Sequence, residues 1–390
     1  MNNPLTFLAR RAWLNFRSEV LVLPSRTLVA VWVAAGLLLP VVYPDPYVLR
    51  VAAMTCIFAI FAASWDLLAG YAGQINFGHA LFFGAGAYVS AIVTLDLGVS
   101  PWIGLACGAV VATVIGLVVG YLCLRLRGSY LSLATLAFPL IVTGLLFALP
   151  DLSGGELGIS GVRSLAVSRI ANYIAAIGML LVVFGLWAIA SSKFGLLLHA
   201  IRDDEVAVRA SGINTIRVKL AAFGISAFAA GISGALYAHF MRGAGPSTLA
   251  TALSFQVVIW AIFGGVATIY GPVTAVFVLY PLTEWLGGIR EFGEMRLLIF
   301  AVIVVIVLIF MPRGLTPWVR DKIETQCPRC KQRNAMWRSD CRLCSASLRL
   351  GGPPAPAGAA TTDPATDPAA ESKGLGPTGR GSRRAASRQP

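Results

Sequence analysis

The chain has 390 residues, of which 57% are hydrophobic and only 13% are charged. Soluble globular domains carry about 25% charged residues, so this composition excludes a soluble globular protein, and the apolar content excludes disorder over most of the length. The net charge is unevenly distributed, because residues 1–312 hold 17 Lys and Arg against 12 Asp and Glu, whereas residues 313–390 hold 14 against 6. We therefore expect a membrane body followed by a basic, soluble C-terminal segment.

The N-terminal segment, residues 1–27, is predicted to stay in the cytoplasm. The apolar run that follows it is long enough to span a bilayer, and no small-residue cleavage site comes after that run, so we expect no cleaved signal peptide. Basic residues beside a span favour the cytoplasmic side. The arginines of this segment, opposed by a single glutamate, are Arg10, Arg11, Arg17 and Arg26.

The region 28–312 is predicted to be a transmembrane domain. A spanning helix needs about 20 apolar residues, and this region contains about ten candidate segments, of which the third, eighth and ninth are short and rich in glycine. The predicted fold class is therefore an all-α polytopic membrane protein. The predicted spans cover residues 28–43, 48–69, 79–95, 101–124, 130–149, 170–190, 218–241, 253–267, 272–286 and 295–311.

The charges between the spans predict the orientation. Lys and Arg cluster in three connections, at 125–127, 193–219 and 313–322, whereas the opposite connections are near neutral. If all the predicted spans form, the basic connections lie on the same side as the N-terminus. Since Lys and Arg favour the cytoplasmic side, we expect both termini to be cytoplasmic.

Two polar, glycine-rich interruptions predict a transport path. Non-helical backbone at membrane depth is tolerated only inside the protein or beside a water-filled path, and interrupted segments at matching places in two halves indicate a path built on internal repeats. The alternative is that the glycines only let helices pack closely, although the polar side chains of the first segment argue against it. The candidate path residues are Gln74, Asn76, Gly78, His79, Gly264, Gly265 and Gly271.

Two acidic residues fall inside predicted spans. Asp66 lies near the predicted cytoplasmic end of the second span, where we expect it to cap a helix or pair with an arginine rather than to take part in transport. Glu284 lies near the predicted outer end of the ninth span and is placed to pair with Arg290.

The longest basic connection, residues 191–217, contains a short predicted helix. Asp203 is the predicted N-cap, Asp204 and Glu205 follow at the positive end of the helix dipole, and Gly212 is the predicted terminator. So short a helix is not stable alone in water, so it must dock either in a groove of a partner or on its own bundle, and composition leaves both open. Its small apolar face is formed by Val206, Ala207 and Ala210.

Several motifs occur in order along residues 50–315. They are the run at 64–94 that contains the segment Tyr71 to His79, the run Arg125 to Tyr130 with Leu136 to Pro139, Ala200 to Asn214, Ser226 to Tyr237, Gly264 to Pro272, and Met311 to Leu315. Together they resemble the permease subunits of branched-chain amino acid ABC importers, in particular the LivM-type subunit. The resemblance covers the membrane body and leaves out residues 1–26 and those after about 320.

The resemblance implies a transport subunit in the bacterial inner membrane, not an enzyme, that forms half of a path for aliphatic amino acids. Its implied partners are a second, LivH-like permease, two cytoplasmic ATP-binding subunits and a periplasmic substrate-binding protein; lipid surrounds it, and no specific nucleic acid is expected. The sequence contains no glycine-rich phosphate loop with a lysine, so ATP hydrolysis is assigned to the partners. The resemblance also implies a coupling helix, with the candidate residues Arg202, Asp203, Asp204, Glu205, Ala207, Ala210 and Gly212.

The C-terminal segment 313–350 contains two Cys-x-x-Cys pairs, Cys327 with Cys330 and Cys341 with Cys344. This spacing is typical of a zinc ribbon, in which each pair places two thiolates on one tight turn and four thiolates complete a tetrahedral shell. Two disulfides are the alternative, which a reducing cytosol disfavours. Because so few residues form little core, the metal would supply the folding energy.

Residues 351–390 are rich in Pro, Ala, Gly, Ser and Arg without apolar periodicity, so we predict a disordered basic tail. The roles of the tail and of the ribbon stay open. Two functions compete with amino acid import: import of urea or short-chain amides, because those permeases share the same motifs, and a zinc-ribbon membrane scaffold or sensor.

Overall fold

A computed structural model describes residues 30–34, 38, 42–43, 45–126, 129–165, 168–289, 295–331, 333–336, 339–341, 344 and 348. The predicted N-terminal segment at 1–27 and the predicted tail at 351–390 lie outside the described residues, as does much of the predicted first span at 28–43. Within that span, residues 30–34 are helical.

The described part of the chain is dominated by helices, as the sequence predicts. They are α1 (Pro46–Asp66), α2 (Ala80–Asp96), α3 (Pro101–Cys123), α4 (Ser129–Ala148), α5 (Pro150–Ser153), α6 (Ser168–Ala190), α7 (Lys193–Asp203), α8 (Glu205–Ala210), α9 (Thr215–Met241), α10 (Thr251–Gly264), α11 (Tyr270–Gly288), α12 (Arg296–Phe310) and α13 (Leu315–Ile323). A π-helical turn, Leu67–Tyr71, continues α1, and a 3-10 turn, Pro246–Leu249, precedes α10.

Two small antiparallel sheets accompany the helices. Strand β1 (Ile159–Ser160) pairs with β2 (Gly243–Ala244). Strand β3 (Glu324–Gln326) follows α13 directly and pairs with β4 (Arg333–Ala335), with Thr325 opposite Asn334. The second sheet lies in the segment predicted to form a ribbon.

Five helical stretches among the described residues are long and apolar enough to cross a membrane. They are Pro46–Tyr71, Pro101–Cys123, Tyr130–Ala148, Ile170–Ala190 and Thr215–Met241. Helices α2 and α10 are apolar but shorter, as predicted for the third and eighth spans. The polytopic all-α class is therefore confirmed, whereas the predicted total of ten spans is not.

Helices α1 and α9 form the centre of the bundle. In the most apolar window of α1, 89% of the residues are buried, compared with 22% in the corresponding windows of α4 and α6, which lie at the periphery. Helix α9 packs against α1, α2 and α3. The contact with α2 is tight, because a Cβ atom built on Gly86 would lie 2.7 Å from the Cα atom of Gly231.

Buried hydroxyl groups fix α9 against its neighbours. Ser226 donates to the carbonyl of Ser64 at 2.7 Å, and Ser233 donates to the carbonyl of Ile57 at 2.6 Å, both on α1. His239 lies 2.8 Å from the hydroxyl of Ser90 on α2. Since polar groups inside a membrane need protein partners, these bonds set the relative positions of the three helices.

Candidate functional site

The first polar interruption, residues 72–79, is irregular chain between the π-helical turn and α2. Trp65 donates its indole N–H to the carbonyl of Asn76 at 2.8 Å, and the Asn76 Oδ1 atom accepts from the backbone N–H of Gly78 at 2.8 Å. His79 Nε2 lies 2.8 Å from the Ser64 hydroxyl, and the two side chains are fully buried. The segment thus folds back onto α1 through its own polar residues.

Side chains from α4 and α10 complete the hydrogen bonding of this segment. Ser132 donates to the carbonyl of Ile75 at 3.0 Å, and Thr135 accepts from the N–H of Phe77 at 3.2 Å. Ser254 accepts from the N–H of Ala80 at 2.9 Å. A Cβ atom on Gly78 would collide with the carbonyl of Thr135, so only glycine permits this approach.

Two buried polar atoms of the segment have no hydrogen-bond partner among the described residues. They are Asn76 Nδ2 and His79 Nδ1, on side chains that are 1% and 0% exposed. Gln74 is half-buried and lines a neighbouring cavity. Of the predicted path residues in this segment, therefore, Gln74 faces open space while Asn76, Gly78 and His79 are enclosed.

The second interruption, residues 265–269, is held by Asp66 at the end of α1. The Asp66 carboxylate is fully buried and accepts three backbone N–H groups, from Ala267 at 2.7 Å, Thr268 at 3.0 Å and Ile269 at 2.8 Å. Asp66 therefore satisfies the backbone ahead of α11, which agrees with its predicted capping role.

This loop holds residues in an unfavourable backbone conformation. Ala267 and Ile269 have φ values of 64° and 52°, and the left-handed region costs residues with a Cβ atom about 1–2 kcal/mol each. The Thr268 hydroxyl adds a local brace, donating to Gly265 at 2.6 Å and accepting from the N–H of Gly271 at 3.1 Å. These hydrogen bonds, together with those to Asp66, stabilise the unfavourable backbone conformation of the loop.

The predicted path glycines of the second interruption are buried where backbones meet. A Cβ atom on Gly264 would lie 2.6 Å from the backbone nitrogen of Pro272, and one on Gly271 would lie 2.7 Å from the carbonyl oxygen of Gly264. A Cβ atom on Gly265 would lie 2.5 Å from the Cδ atom of the Pro317 ring in α13. In this conformation these glycines allow close packing rather than line an open cavity.

The predicted coupling segment, residues 202–212, covers the end of α7, the whole of α8 and the turn before α9. The expectation that Asp203 caps α8 is wrong by one residue: Asp203 ends α7, and Asp204 is the N-cap, accepting from the N–H groups of Val206 at 2.9 Å and Ala207 at 3.0 Å. Extended backbone is required at an N-cap, and Asp204 adopts it, whereas Asp203 remains helical. Gly212 follows the end of α8 with a φ of 85°, as predicted for a terminator.

Glu205 fixes α8 to α9. Its carboxylate accepts from Lys219 at 2.6 Å, from Arg209 at 2.8 Å and from the Thr215 hydroxyl at 3.0 Å. Partial burial alone would raise the pKa of Glu205, but the bonds from Lys219, Thr215 and Arg209 outweigh it and hold the pKa below its usual value. The base of the coupling segment is therefore an ionised, multiply bonded carboxylate.

The opposite side of α8 is exposed in the described part of the chain. None of its residues is buried, and 75% of the Val206 surface is exposed. Ala207 and Ala210 are exposed beside it, so the small apolar face identified in the sequence is free. Helix α8 is thus attached to its own bundle through Glu205, while its small apolar face stays exposed.

Helix α7 connects the coupling segment to the interruptions. Arg202 donates to the carbonyl of Gly70 in the π-helical turn, four residues after Asp66. The His199 ring lies 4.6 Å from the Tyr71 ring, measured between centroids. Burial lowers the pKa of His199, and the charge of Arg202 lowers it further, so the ring is neutral at pH 7.

A cavity of about 1060 Å³ opens between the first interruption and the coupling segment. Because four of its five charged side chains are cations, it is a basic vestibule at this end of the bundle. Its polar and charged lining residues are Gln74, Arg125, Ser132, Arg202, Glu205, Arg209 and Lys219.

The four C-terminal cysteines cluster in the ribbon segment. Their sulfur atoms all lie within 4.8 Å of one another, with 3.5 Å between Cys327 and Cys344 and 3.4 Å between Cys330 and Cys341. Hydrogen bonds from the backbone of Cys330 and Arg329 lower the pKa of Cys327, which favours its thiolate. The cluster is able to hold one metal ion.

Comparison with known proteins identifies the membrane body. A family model described as a branched-chain amino acid transport system permease component matches residues 47–308, about two thirds of the chain. The chain belongs to this family. The match ends before α13, so the cysteine cluster lies outside the part that defines the permease.

Individual relatives agree with the family match. The permease is 29% identical to the high-affinity branched-chain amino acid transport system permease protein LivM of Salmonella typhimurium over 315 residues, 73% of each chain. It is 26% identical to LivH of Escherichia coli over 282 residues, 66% of this chain and 90% of LivH. The L-arabinose transport system permease protein AraH of Escherichia coli is 29% identical over a shorter 189 residues, 46% of this chain and 55% of AraH. No solved structure matches the chain.

Sequence reasoning missed two contacts of this site. The partner of Asp66 lies about 200 residues further along the chain, and Arg202 reaches a backbone carbonyl, which leaves no signature in residue type. The Glu284 carboxylate lies 3.9 Å from Arg50, whereas its expected partner Arg290 lies outside the described residues, so that pairing stays a prediction.

Replacing Glu205 with Gln should loosen α8. We expect the amides of residues 204–212 to exchange hydrogen about tenfold faster, the effect of losing one charge-assisted hydrogen bond, in exchange measured by mass spectrometry on the purified protein. Because the pKa of Glu205 is lowered in the fold, its stabilisation is complete above the unfolded carboxyl pKa and is lost as pH falls through the lowered value. The intact protein should thus lose protection at acidic pH, and the variant should show no such step.

The neighbouring Asp203→Asn is the matched control, because that side chain is exposed. Equal exchange in the intact protein and in Glu205→Gln would contradict the attachment of α8 through Glu205.

Proposed function

We propose that the chain is a permease subunit of an ABC importer that carries branched-chain aliphatic amino acids, driven by separate ATP-binding subunits. The observation that carries this proposal is the family match over residues 47–308, supported by the LivM and LivH relatives. In this proposal residues 28–312 form the transmembrane domain, residues 313–350 a ribbon and residues 351–390 a tail.

The proposed partners are a second, LivH-like permease, two ATP-binding subunits and a periplasmic substrate-binding protein. The free apolar face of α8 supports the ATPase assignment, because a six-residue helix that turns this face outward needs a partner to cover it. Arg202, Asp203, Asp204, Glu205, Ala207, Ala210 and Gly212 make up this coupling segment.

The proposed orientation places both ends of the chain in the cytoplasm of a bacterium, with the body in the inner membrane. Helix α13 supports this arrangement, because Pro317 packs on the loop that Asp66 holds, and the coupling segment reaches the same junction through Arg202. The basic C-terminal segment and the basic α7–α9 connection therefore share one end of the bundle, as the cytoplasmic bias of Lys and Arg requires.

The proposed path runs past the two interruptions to the basic vestibule. Gln74 lies at the vestibule, whereas Asn76 and His79 are enclosed above it, so the path is closed at their level in this conformation. Alternating access would require the interruptions to separate when the ATPases bind one permease state more tightly. The unpartnered Asn76 Nδ2 and His79 Nδ1 atoms supply polar groups for a path that opens there.

Uptake by the reconstituted complex tests the substrate. We expect proteoliposomes containing both permeases and both ATPases, supplied with the binding protein, to take up leucine, isoleucine or valine in an ATP-dependent manner. Urea, acetamide and L-arabinose are the comparison substrates, because the sequence motifs extend to amide permeases and a sugar permease matches part of the chain. Uptake of urea or acetamide without any aliphatic amino acid would contradict the proposed substrate and support the amide alternative.

Replacing Val206 with Glu tests the coupling assignment. Because this side chain is exposed, the permease should fold normally, whereas a charge buried in a partner's groove is costly. We expect co-purification of the ATPase subunits and ATP-driven uptake to fall at least about tenfold, as for a central interface residue. Lys193→Glu, an equally charge-altering change on exposed α7, is the control, and unchanged assembly of Val206→Glu would contradict the assignment.

We further propose that Cys327, Cys330, Cys341 and Cys344 bind a structural zinc ion. Four sulfurs at about 2.3 Å from zinc lie about 3.8 Å apart in a tetrahedron, close to the separations of 3.4 and 3.5 Å between the paired sulfurs. A disulfide would need about 2.05 Å. Four thiolates leave zinc with a charge of about −2, which nearby cations such as Arg329, Lys331 and Arg333 offset.

Metal analysis of the full-length protein tests this site. We expect about one zinc per chain, and after exchange with cobalt the absorption bands of a tetrahedral thiolate site. Cys341→Ser should abolish both signals, and Cys107→Ser, in α3, should leave them intact. Metal-free protein whose mass is lower by the hydrogens of two disulfides would contradict the zinc assignment.

A further inference from the structure

Asp66 joins three parts of the molecule at one buried point. It ends α1, it starts the π-helical turn Leu67–Tyr71, and its carboxylate binds the backbone of residues 267–269. A buried charge is unfavourable unless it is fully bonded, and here both carboxylate oxygens are used. The loop at 265–269 therefore keeps its shape only while Asp66 stays in place.

The fit around this carboxylate is specific. A Cβ atom on Gly70 would collide with Asp66 and would lie 2.7 Å from the backbone nitrogen of Ala267, so the turn and the loop are in direct contact. Ala267 and Ile269, both with positive φ, donate their backbone N–H groups to this acid. Any displacement of the turn changes the position of the carboxylate and with it the loop.

The coupling segment also contacts the π-helical turn. Arg202 donates to the Gly70 carbonyl, and its positive charge acts on the Asp66 carboxylate. Arg202 lies two residues before Asp204, the N-cap of α8. A movement of α8 therefore reaches the turn through the end of α7, where Arg202 bonds to Gly70 and His199 contacts Tyr71.

We infer that Asp66 and Arg202 are positioning residues that transmit the movement of α8 to the 265–269 loop at the start of α11. The inference deepens the proposed function, since it assigns the contact through which ATPase movement reaches one interruption of the path. If Asp66 and Arg202 only stabilised the fold, replacing Arg202 would leave the backbone of the loop at 265–269 unaffected. The two roles differ in a measurable way, because Arg202 has no hydrogen bond to the loop among the described contacts.

The first measurement uses the purified full-length permease in lipid nanodiscs, without partners. Asp66→Asn should speed hydrogen exchange at the amides of residues 267–269 about tenfold, the loss expected for a charge-assisted bond. Arg202→Met should speed exchange at the same amides, while Lys193→Met, at the other end of α7, should not. If Arg202→Met leaves these amides unchanged, the inference is wrong whether or not the chain transports amino acids.

The second measurement uses the assembled transporter in proteoliposomes and compares ATP hydrolysed with amino acid taken up. We expect Asp66→Asn and Arg202→Met each to raise the ATP used per amino acid at least about tenfold, and the double variant to match the single ones because both act through one contact. An unchanged ratio, or effects that multiply in the double variant, would overturn the inference. If Asp66→Asn does not fold, Arg202→Met alone carries both tests, since its side chain lies on the exposed surface of α7.

Discussion

Backbone polar groups that leave a helix inside a membrane must find partners within the protein, because the bilayer offers none. This constraint shapes both interruptions. The first is satisfied by hydroxyl groups of Ser132, Thr135 and Ser254 from neighbouring helices. The second is satisfied by one acidic side chain, Asp66, which binds three consecutive N–H groups. The two solutions differ: in the first, hydroxyl groups from α4 and α10 share the hydrogen bonds, whereas in the second three N–H groups bind a single carboxylate.

That difference explains how much of the site could be predicted. Gln74, Asn76 and His79 are conspicuous because polar residues in an apolar run need partners, so the first interruption was predictable from composition. The cap of α8 was placed one residue early because Asp203, Asp204 and Glu205 all suit a helix start, and only the backbone conformation selects Asp204. The contact between Asp66 and the loop could not be predicted from the sequence, because its partners are backbone groups about 200 residues away along the chain. The count of ten spans is not confirmed, because much of the first predicted span lies outside the described residues and α2 and α10 are shorter than the helices that are long enough to cross a membrane.

The coupling segment combines two opposite requirements. A six-residue helix is too short to be stable alone, so α8 needs strong attachment at its base, and the Asp204 cap with the three bonds to Glu205 supplies it. A helix that receives a partner also needs a free face, and Val206 and Ala207 provide one. Polar bonds at one edge and small apolar groups at the other meet both requirements, since bonds to charged groups fix position while small side chains allow close docking. The exposed face and the bonded base of α8 are thus compatible with the proposed coupling role.

The ribbon segment lies outside the family match, and α13 connects it to the loop that Asp66 holds. Helix α13 runs directly into β3, and Asp321 on α13 lies 3.5 Å from Arg313 and 3.5 Å from Arg333 of β4. Exposed ion pairs contribute only about 0–1 kcal/mol each, so these contacts orient the ribbon without folding it, and a bound metal would have to supply the folding energy. Near the start of α13, Pro317 packs against Gly265. The loop is therefore held from two sides, by the end of α1 through Asp66 and by the start of α13 through Pro317, and a ribbon folded by metal would limit how far the second support can move.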